Sequence, residues 1–388
     1  MNRNIKQKIE EIIKETLKYD EKEEFHCRSL MGESNLGLLI LLFNYREIFK
    51  DDSFSDKIEM YLTKVIEMPE TERLDYSQGL FGLLWFLSYL NNENFIDLDM
   101  TELNSYNQIG GDIAITLINS TPSNHDFLSG AIGIGIYLLE NIASEEDIAR
   151  VEGVINSLDK ISYVDNKQRY WKDDQYYFKE NDPNYSSSVN LGLAHGQPGK
   201  IVFLSKALMK GVSPNKTSKI LRESVNFLLR CKNKDSSFSN YPNRFLINGA
   251  ANDELESRLG WCYGDLSICI SLWIAGSALK NDEIKNEAVN ICLSTLNRKN
   301  RAETNINEAT ICHGAAGVAH IYNRMYKYTN RIEFKEAANF WIQETLKISG
   351  LKNDKSFGLL GGMAGTGLVL LSYYSEEEPH WDRCLLLS

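Results

Sequence analysis

Seven internal repeats run through this chain, and they constrain its fold more than any other feature of the sequence. Each repeat has a small residue, two other residues, a second small residue and then an apolar run, as in ICHGAAGVAHIYNRMY (311–326) and LLGGMAGTGLVLLSYY (359–374). The first small residues are Ser34, Gly79, Gly130, Gly196, Gly264, Gly314 and Gly362. They lie 45 to 68 residues apart, which is room for about two helices in each unit.

The apolar runs and the segments between them predict an all-α fold. A helix formed by each apolar run is apolar on nearly all sides, so it must be buried. The intervening segments have apolar residues at helical spacing with charges between them, as in residues 145–161, 218–231, 285–299 and 334–348. We therefore predict a single domain over residues 1–388, an α/α toroid of about seven inner and seven outer helices. An open α-solenoid has the same periodicity, but seven units with such apolar inner helices favour a closed ring.

Two of the spacings are long, and both lead into repeat glycines that carry candidate chemistry. Residues 163–190 are polar and dense in tyrosine, which indicates an insert of loops or short strands. Residues 232–258 are also polar and predict a long loop. Loops of this length in a compact fold are usually functional or mobile.

Composition narrows the class of protein. The net charge of -11 argues against a phosphate-binding surface, so a nucleic-acid partner is not expected. The longest apolar runs, such as LGLLILLF (36–43), are far shorter than a membrane span. The charged N-terminal segment resembles an amphipathic helix and not a signal peptide. The seven cysteines are scattered and odd in number, which predicts reduced thiols in a cytoplasmic protein.

Three residues beside repeat glycines suggest a metal site. Cys262 and Cys312 each lie two residues before the repeat glycine of their unit, and His313 lies one before it. A lone buried cysteine or histidine is usually a core residue, but equivalent positions in adjacent repeats would gather these side chains at one mouth of the ring. Two thiolates and one imidazole suit Zn²⁺, and three protein ligands leave the open position of a catalytic site.

The other histidines and cysteines are interpreted by the same criterion. His195 also directly precedes a repeat glycine, and we expect it at the same mouth, while His125 beside Asp126 stays open as a candidate. The adjacent pair His26 and Cys27 is not beside a repeat glycine, so we do not expect it to bind metal. We expect core positions for Cys231, Cys269, Cys292 and His320.

Three motifs resemble the signatures of a known family. GLAHGQPG (192–199), SRLGWCYGD (257–265) and ICHGAAG (311–317) are similar to those of the lanthionine synthetase C family, the lanthipeptide cyclases. The resemblance covers essentially the full chain and implies the family's α/α toroid. It also implies one Zn²⁺ with three protein ligands and a water or substrate thiolate.

The resemblance implies which residues form the site. The positions that match the zinc ligands are Cys262, Cys312 and His313. The positions that match acid–base residues are His195 and Asp126, and further active-site positions are matched by Arg258 and Tyr263.

This sequence departs from the family pattern in one motif. After the cysteine motif, family members often continue with Gly-x-Pro-Gly, whereas here Ser267 replaces the second glycine and the proline is absent. The departure is expected to reshape the turn after Cys262. No dehydratase region precedes the repeats, as in stand-alone cyclases, and residues 163–190 fall where some members carry a small SH2-like extension.

The resemblance implies an enzyme of the lyase class that acts in lantibiotic biosynthesis. It would add peptide cysteine thiols to dehydroalanine or dehydrobutyrine and so form thioether rings. The implied partner is a dehydrated precursor peptide, and a dehydratase and a transporter are candidate members of a membrane-associated modification complex. Two alternatives stay open: a different thiol-activating zinc enzyme of the prenyltransferase type, which needs an aspartate ligand, and a non-catalytic member that binds zinc or peptides.

Overall fold

The computed structural model is mainly helical in the part of the chain it describes. That part comprises residues 2–20, 29–32, 34–67, 72–172, 188–234, 238–247, 255–349, 356, 358–375 and 377–388. Its helices are α1 (Asn2–Asp20), α2 (Asn35–Phe49), α3 (Ser55–Glu67), α4 (Leu80–Asn92), α5 (Met100–Asn119), α6 (Ala131–Glu140), α7 (Glu145–Ile161), α8 (Gln197–Met209), α9 (Pro214–Arg230), α10 (Asp265–Ala278), α11 (Asp282–Ser294), α12 (Arg301–Thr304), α13 (Ala315–Thr329), α14 (Ile332–Ile348) and α15 (Met363–Ser375), with a 3₁₀ helix at His380–Leu385. The strands are β1 (Tyr163–Asp165), β2 (Gln168–Tyr170), β3 (Ser188–Asn190) and β4 (Arg244–Leu246).

Each apolar helix begins one residue after the repeat residue identified in the sequence. The helices α2, α4, α6, α8, α10, α13 and α15 begin at residues 35, 80, 131, 197, 265, 315 and 363. A close approach of the backbone explains the glycines. A Cβ on Gly196 would lie 2.2 Å from the Asn190 carbonyl oxygen, and one on Gly79 would lie 2.5 Å from the Arg73 carbonyl oxygen. The chain therefore turns too tightly into these helices to admit a side chain.

The turn before α10 differs from the other glycine turns. Gly264 has a φ of +103°, whereas Gly196 and Gly314 are extended at −116° and −110°. A residue with a side chain is strained at such a positive φ. Ser267, which stands where the family often has a glycine, is buried, and its hydroxyl donates to the Gly264 carbonyl at 2.8 Å. The expectation that the departure from the family motif reshapes this turn stays a prediction.

The described chain divides into two compact units, each with its own packed helices. The first unit comprises residues 1–98 and 306–383, and the second comprises residues 99–305 and 384–388. In the first unit, α15 packs against α1, α2 and α13, and α14 covers α13. In the second, α6, α8 and α10 pack on one another in turn, while α5 covers α6, α9 covers α8 and touches α10, and α11 covers α10. Within each unit, apolar helices therefore pack together beneath amphipathic ones. The prediction of a single domain over 1–388 stays a prediction.

The two long segments contain short strands in the second unit. Strands β1 and β2 form a hairpin, and Arg169 on β2 joins it to the helices by ion pairs with Glu223 at 2.8 Å and Asp159 at 2.6 Å. Strands β3 and β4 pair antiparallel, so the segment before His195 is bonded to the long loop of residues 232–258. The predicted SH2-like extension falls largely on residues 173–187, which lie outside the described residues.

The expected core residues are buried. Cys231, Cys269, Cys292 and His320 are each at most 1% exposed. His26 and Cys27, which we did not expect to bind metal, lie outside the described residues. Among the described helices, none combines the length and the apolar character needed to cross a bilayer.

A buried charge cluster links Asp382 to α13 in the first unit. The Asp382 carboxylate, which is 0% exposed, accepts from His320 Nε2 at 2.7 Å and from Arg324 Nε at 2.6 Å. Burial would raise the pKa of Asp382, but the Arg324 charge and the His320 hydrogen bond outweigh it and hold this pKa well below its usual range. The carboxylate is therefore ionised in the folded protein at neutral pH.

We expect Asp382→Ala to destabilise the protein by about 3–5 kcal/mol at pH 7, because it leaves the Arg324 guanidinium buried without its counter-charge. Since the folded pKa of Asp382 is lowered, its stabilisation is complete above the unfolded pKa of about 3.9 and is lost as the pH falls through the folded value. Urea denaturation between pH 7 and pH 2 measures both effects, and the variant should lose less stability on acidification.

The matched control is Glu378→Gln, because Glu378 pairs with the same arginine but is 49% exposed, so its loss should cost about 1 kcal/mol or less. Equal effects of the two substitutions would contradict this account.

Candidate functional site

Cys312 and His313 lie in the tight turn that precedes α13. The Cys312 N–H donates to the Leu360 carbonyl at 3.0 Å, and the Leu360 N–H donates to the Met31 carbonyl at 3.1 Å. These backbone bonds tie the Cys312 turn to the turn before α15 and to the segment before α2. Both side chains are partly exposed, and the His313 side chain is 41% exposed. The turn thus holds two donor groups at the surface of the first unit on a fixed backbone.

Glu308 binds the ring of His313 from within the same turn. His313 Nε2 lies 3.1 Å from Glu308 Oε1, and the Thr310 hydroxyl donates to that oxygen at 2.6 Å. A carboxylate on one ring nitrogen fixes the tautomer of a histidine ligand and raises its basicity. With Nε2 next to Glu308, Nδ1 is the nitrogen of His313 that would bind a metal. The sequence reasoning did not single out Glu308, because an acidic residue five positions before a histidine has no distinctive spacing.

Cys262 lies in the corresponding turn of the second unit. It is 8% exposed and precedes Tyr263 and the positive-φ residue Gly264. The indole N–H of the preceding residue, Trp261, donates to the Leu385 carbonyl at 2.8 Å. A Cβ on Gly192 would lie 2.7 Å from the Cys262 carbonyl oxygen, so the segment that leads to His195 packs directly on this turn.

The predicted zinc ligands form a group of donors. The sulfur atoms of Cys262 and Cys312 and one ring nitrogen of His313 all lie within 4.8 Å of one another. Zinc binds thiolate sulfur at about 2.3 Å and imidazole nitrogen at about 2.0–2.1 Å, so three donors at this separation fit a single ion. The chemistry of the set, two thiolates and an imidazole, is also that of zinc.

His195 and Asp126 form a hydrogen-bonded pair in the second unit. His195 Nδ1 lies 2.6 Å from Asp126 Oδ2, while Asp126 Oδ1 accepts from the Ser129 N–H at 2.7 Å. Burial would raise the pKa of Asp126, but the His195 ring and the Ser129 N–H outweigh it and lower this pKa. An ionised Asp126 holds the proton of His195 on Nδ1, so Nε2 is the basic atom of the ring. The arrangement is that of a general base with an orienting carboxylate.

A buried lysine lies behind this pair. Lys200 on α8 is 3% exposed, and its ammonium donates to the Gly196 carbonyl at 3.2 Å. Its charge helps to lower the pKa of Asp126. Burial, and then the Lys200 charge, hold the pKa of His125 well below its usual range, so His125 is neutral at neutral pH. His125 stays an untested candidate, because a neutral imidazole still has one nitrogen that accepts and one N–H that donates.

Tyr263 and Arg258 flank Cys262, and both are half-buried. The Tyr263 hydroxyl accepts a hydrogen bond from Asn190 Nδ2 at 2.9 Å. The Arg258 carbonyl packs against Gly264, at 1.9 Å from where a Cβ would stand. The Arg258 side chain makes no hydrogen bond or ion pair with another described residue. Asn190 and Lys200 were missed in the sequence, because neither belongs to a motif with a chemical pattern.

The long loop of residues 238–247 joins the Cys262 turn to the His195 segment. Asp265, the residue after Gly264, is fully buried and accepts from the backbone N–H groups of Asn240 and Tyr241 at 2.9 and 3.0 Å. Arg298 donates to the same carboxylate at 3.1 Å. Because β4 of this loop pairs with β3, one loop holds both segments of the second unit in register.

Helical repeats with a Cys₂His donor group and a histidine–aspartate pair are the features expected of a lanthionine synthetase C-like protein. The sequence profile of that family, described as lanthionine synthetase C-like protein, matches residues 28–386, and the chain belongs to it. It is 27% identical over 424 aligned positions to the nisin biosynthesis protein NisC of Lactococcus lactis subsp. lactis, covering 99% of this chain and 96% of that protein.

A solved structure, described as nisin cyclase, shares the fold. It superposes with a TM-score of 0.81 at 24% identity, covering 99% of this chain and 98% of that one. The chain therefore has the α/α-toroid fold that its repeats predict, and the all-α fold class is confirmed.

Proposed function

We propose that this protein is a zinc-dependent lanthionine cyclase of the lyase class. It adds the cysteine thiols of a dehydrated precursor peptide to dehydroalanine or dehydrobutyrine of that peptide, and so forms the thioether rings of a lanthipeptide. Family membership and the similarity to proteins named for nisin biosynthesis and nisin cyclisation support the proposal. The observation that carries it is the donor group of Cys262, Cys312 and His313. This group has no aspartate, so it does not favour the prenyltransferase-type alternative.

The donor set supports a catalytic zinc site. Cys262, Cys312 and His313 would hold the ion and leave it one ligand position for a substrate. When bound, Zn²⁺ supplies a Lewis acid that lowers the pKa of a thiol, ordinarily about 8.5, so that the substrate sulfur is a thiolate at neutral pH. Glu308 on Nε2 of His313 orients Nδ1 as the ligand atom.

The residues of the second unit support the proton transfers of the addition. His195 Nε2 accepts the thiol proton, and the sulfur bonds to the β-carbon of the dehydro residue. The electron pair of the double bond moves toward the neighbouring carbonyl, whose oxygen becomes an enolate. Arg258 and Tyr263 stabilise this charge. The His195 imidazolium, stabilised by Asp126, returns the proton to the α-carbon, so that no atom is lost in the ring closure.

We expect Glu308→Ala to weaken zinc binding by about 10- to 100-fold, because the carboxylate that orients the His313 ring is removed. Glu308→Gln should lose less, since an amide oxygen still accepts from Nε2. Competition with a chromophoric chelator measures the zinc affinity. The matched control is Glu336→Ala, at an exposed position on α14 of the same unit, which should bind zinc like the wild type. Unchanged affinity in Glu308→Ala would show that Glu308 does not orient the ligand.

Thiol counting tests the proposed function. The zinc-loaded protein is incubated with a dehydrated precursor peptide that contains cysteine, and the peptide is then alkylated. Ring closure leaves the peptide mass unchanged but consumes a thiol, so the product should take up fewer alkyl groups. A peptide in which every cysteine still alkylates would remove the cyclase function and leave a protein that only binds zinc or peptides. A dehydratase and a transporter stay proposed partners in a modification complex, as the family resemblance implies.

A further inference from the structure

Asn190 connects the segment that leads to His195 with the turn that carries Cys262. It is the last residue of β3 and is 3% exposed. Its Oδ1 accepts the Gly192 N–H at 2.8 Å, and its Nδ2 donates to the Tyr263 hydroxyl oxygen at 2.9 Å. A Cβ on Gly192 would lie 2.6 Å from the Tyr263 ring, so the two segments are in direct contact at this point.

The Gly192 N–H fixes the orientation of the Asn190 amide. A backbone N–H can only donate, so the atom of Asn190 that faces it must be the carbonyl oxygen. The amide NH₂ group is then the atom that faces the Tyr263 hydroxyl. The Tyr263 oxygen is therefore the acceptor in this bond, and Asn190 is the donor.

This bond determines where the proton of the Tyr263 hydroxyl points. The O–H bond of a phenol prefers the plane of the ring, where it has two orientations. The Asn190 NH₂ group donates to the Tyr263 oxygen, and a hydroxyl proton that pointed at this group would meet another donor. The Tyr263 proton is therefore directed away from the buried amide. Tyr263 is half-buried and directly follows Cys262, so it lies next to a proposed zinc ligand.

We propose that Asn190 is a positioning residue that makes Tyr263 a hydrogen-bond donor to the peptide substrate. The acceptor would be the carbonyl oxygen next to the dehydro residue, which becomes the enolate oxygen when sulfur attacks. This inference rests on the proposed cyclase function and assigns one donor of its site. It gives Asn190 a role in the chemical step without contact with the substrate.

Asn190→Asp tests the role with little change of shape. One carboxylate oxygen still accepts the Gly192 N–H, while the other accepts the Tyr263 proton and turns it away from the substrate. We expect kcat for ring closure to fall about 10²-fold, as for the loss of one oxyanion donor, with KM and zinc content unchanged. Tyr263→Phe should cause a similar loss, and adding Asn190→Asp to Tyr263→Phe should cause no further loss. Losses that multiply in the double variant would overturn the proposal.

A second measurement examines the contact without using activity. With tyrosine labelled at ¹³Cζ, the Tyr263 resonance is the one that Tyr263→Phe removes, and Asn190→Asp and Asn190→Ala should both shift it. The matched control is Asn226→Asp, because Asn226 is exposed on α9 and donates to the Lys167 carbonyl; it should change neither this resonance nor kcat. An unshifted Tyr263 resonance would overturn the proposed contact even if the protein is a cyclase. A shifted resonance in a protein that closes no ring would instead overturn the proposed function.

Discussion

Cys312→Ala is expected to abolish stoichiometric zinc binding and ring closure together. The substitution removes one of the three proposed zinc ligands and leaves a donor set of one thiolate and one imidazole. If a zinc-binding free energy of roughly 10–16 kcal/mol is shared among the ligands, the loss is about 3–5 kcal/mol, or about 10²- to 10⁴-fold in affinity. Metal analysis of the dialysed protein and chelator competition measure this change. The thiol-counting assay on the same samples measures ring closure.

The matched control is Cys292→Ala. Cys292 lies on α11, is 0% exposed, and is not part of the donor group. This variant also loses a cysteine, but it should keep one zinc per chain and full ring closure. Circular dichroism on both variants confirms that each is folded. A folded Cys312→Ala protein that retains stoichiometric zinc would place the metal at a different site.

His195→Ala is expected to retain zinc and to lose turnover. General acid–base catalysis contributes about 10²- to 10⁴-fold to rate, so kcat should fall by that factor while zinc affinity stays the same. Asp126→Asn should produce a comparable loss, because an amide that donates to Nδ1 of His195 forces the ring proton onto Nε2 and removes the basic atom. Single-turnover cyclisation of a dehydrated peptide measures both losses.

His380→Ala is the matched control for the loss of a histidine. His380 is 49% exposed and pairs with Glu93 at 2.8 Å, and no part of the proposed site includes it. Its rate should equal that of the wild type. A normal kcat in His195→Ala would remove the catalytic role of His195. Loss of zinc in that variant would make His195 part of the metal site instead.

The order of the buried helices and the places where they begin could be predicted from the sequence. The repeat residues mark the last position before each apolar helix because the backbone there approaches an earlier carbonyl, as at Gly196, and only a small residue fits. The same register argument brought Cys262, Cys312 and His313 to one group. A packing constraint that recurs at each turn can be recognised in the sequence as a repeated small residue.

Residues that support the site could not be predicted in the same way. The contacts of Glu308, Asn190 and Lys200 form only when the turns are folded. Each contact involves residue types that are common in proteins, so no sequence pattern marks it. The pairing of β3 with β4 joins segments that are far apart in sequence and carries no repeat signal. The positive φ of Gly264 could not be predicted, because other repeat glycines, such as Gly196, have extended backbone.

The most direct test of the cyclase function is ring closure in D₂O. The zinc-loaded protein acts on a dehydrated peptide that contains cysteine, and the product is returned to H₂O, alkylated and analysed by tandem mass spectrometry. Each thioether should consume one thiol and keep one carbon-bound deuterium, because the proton returned to the α-carbon comes from the exchangeable pool of the thiol and His195.

The proposed function predicts that this deuterium lies on the α-carbon of the former dehydro residue, at a rate far above that without protein or with Cys312→Ala. If every cysteine still alkylates, and carbon-bound deuterium does not exceed the level without protein, then this chain does not catalyse the addition of a thiol to a dehydro residue.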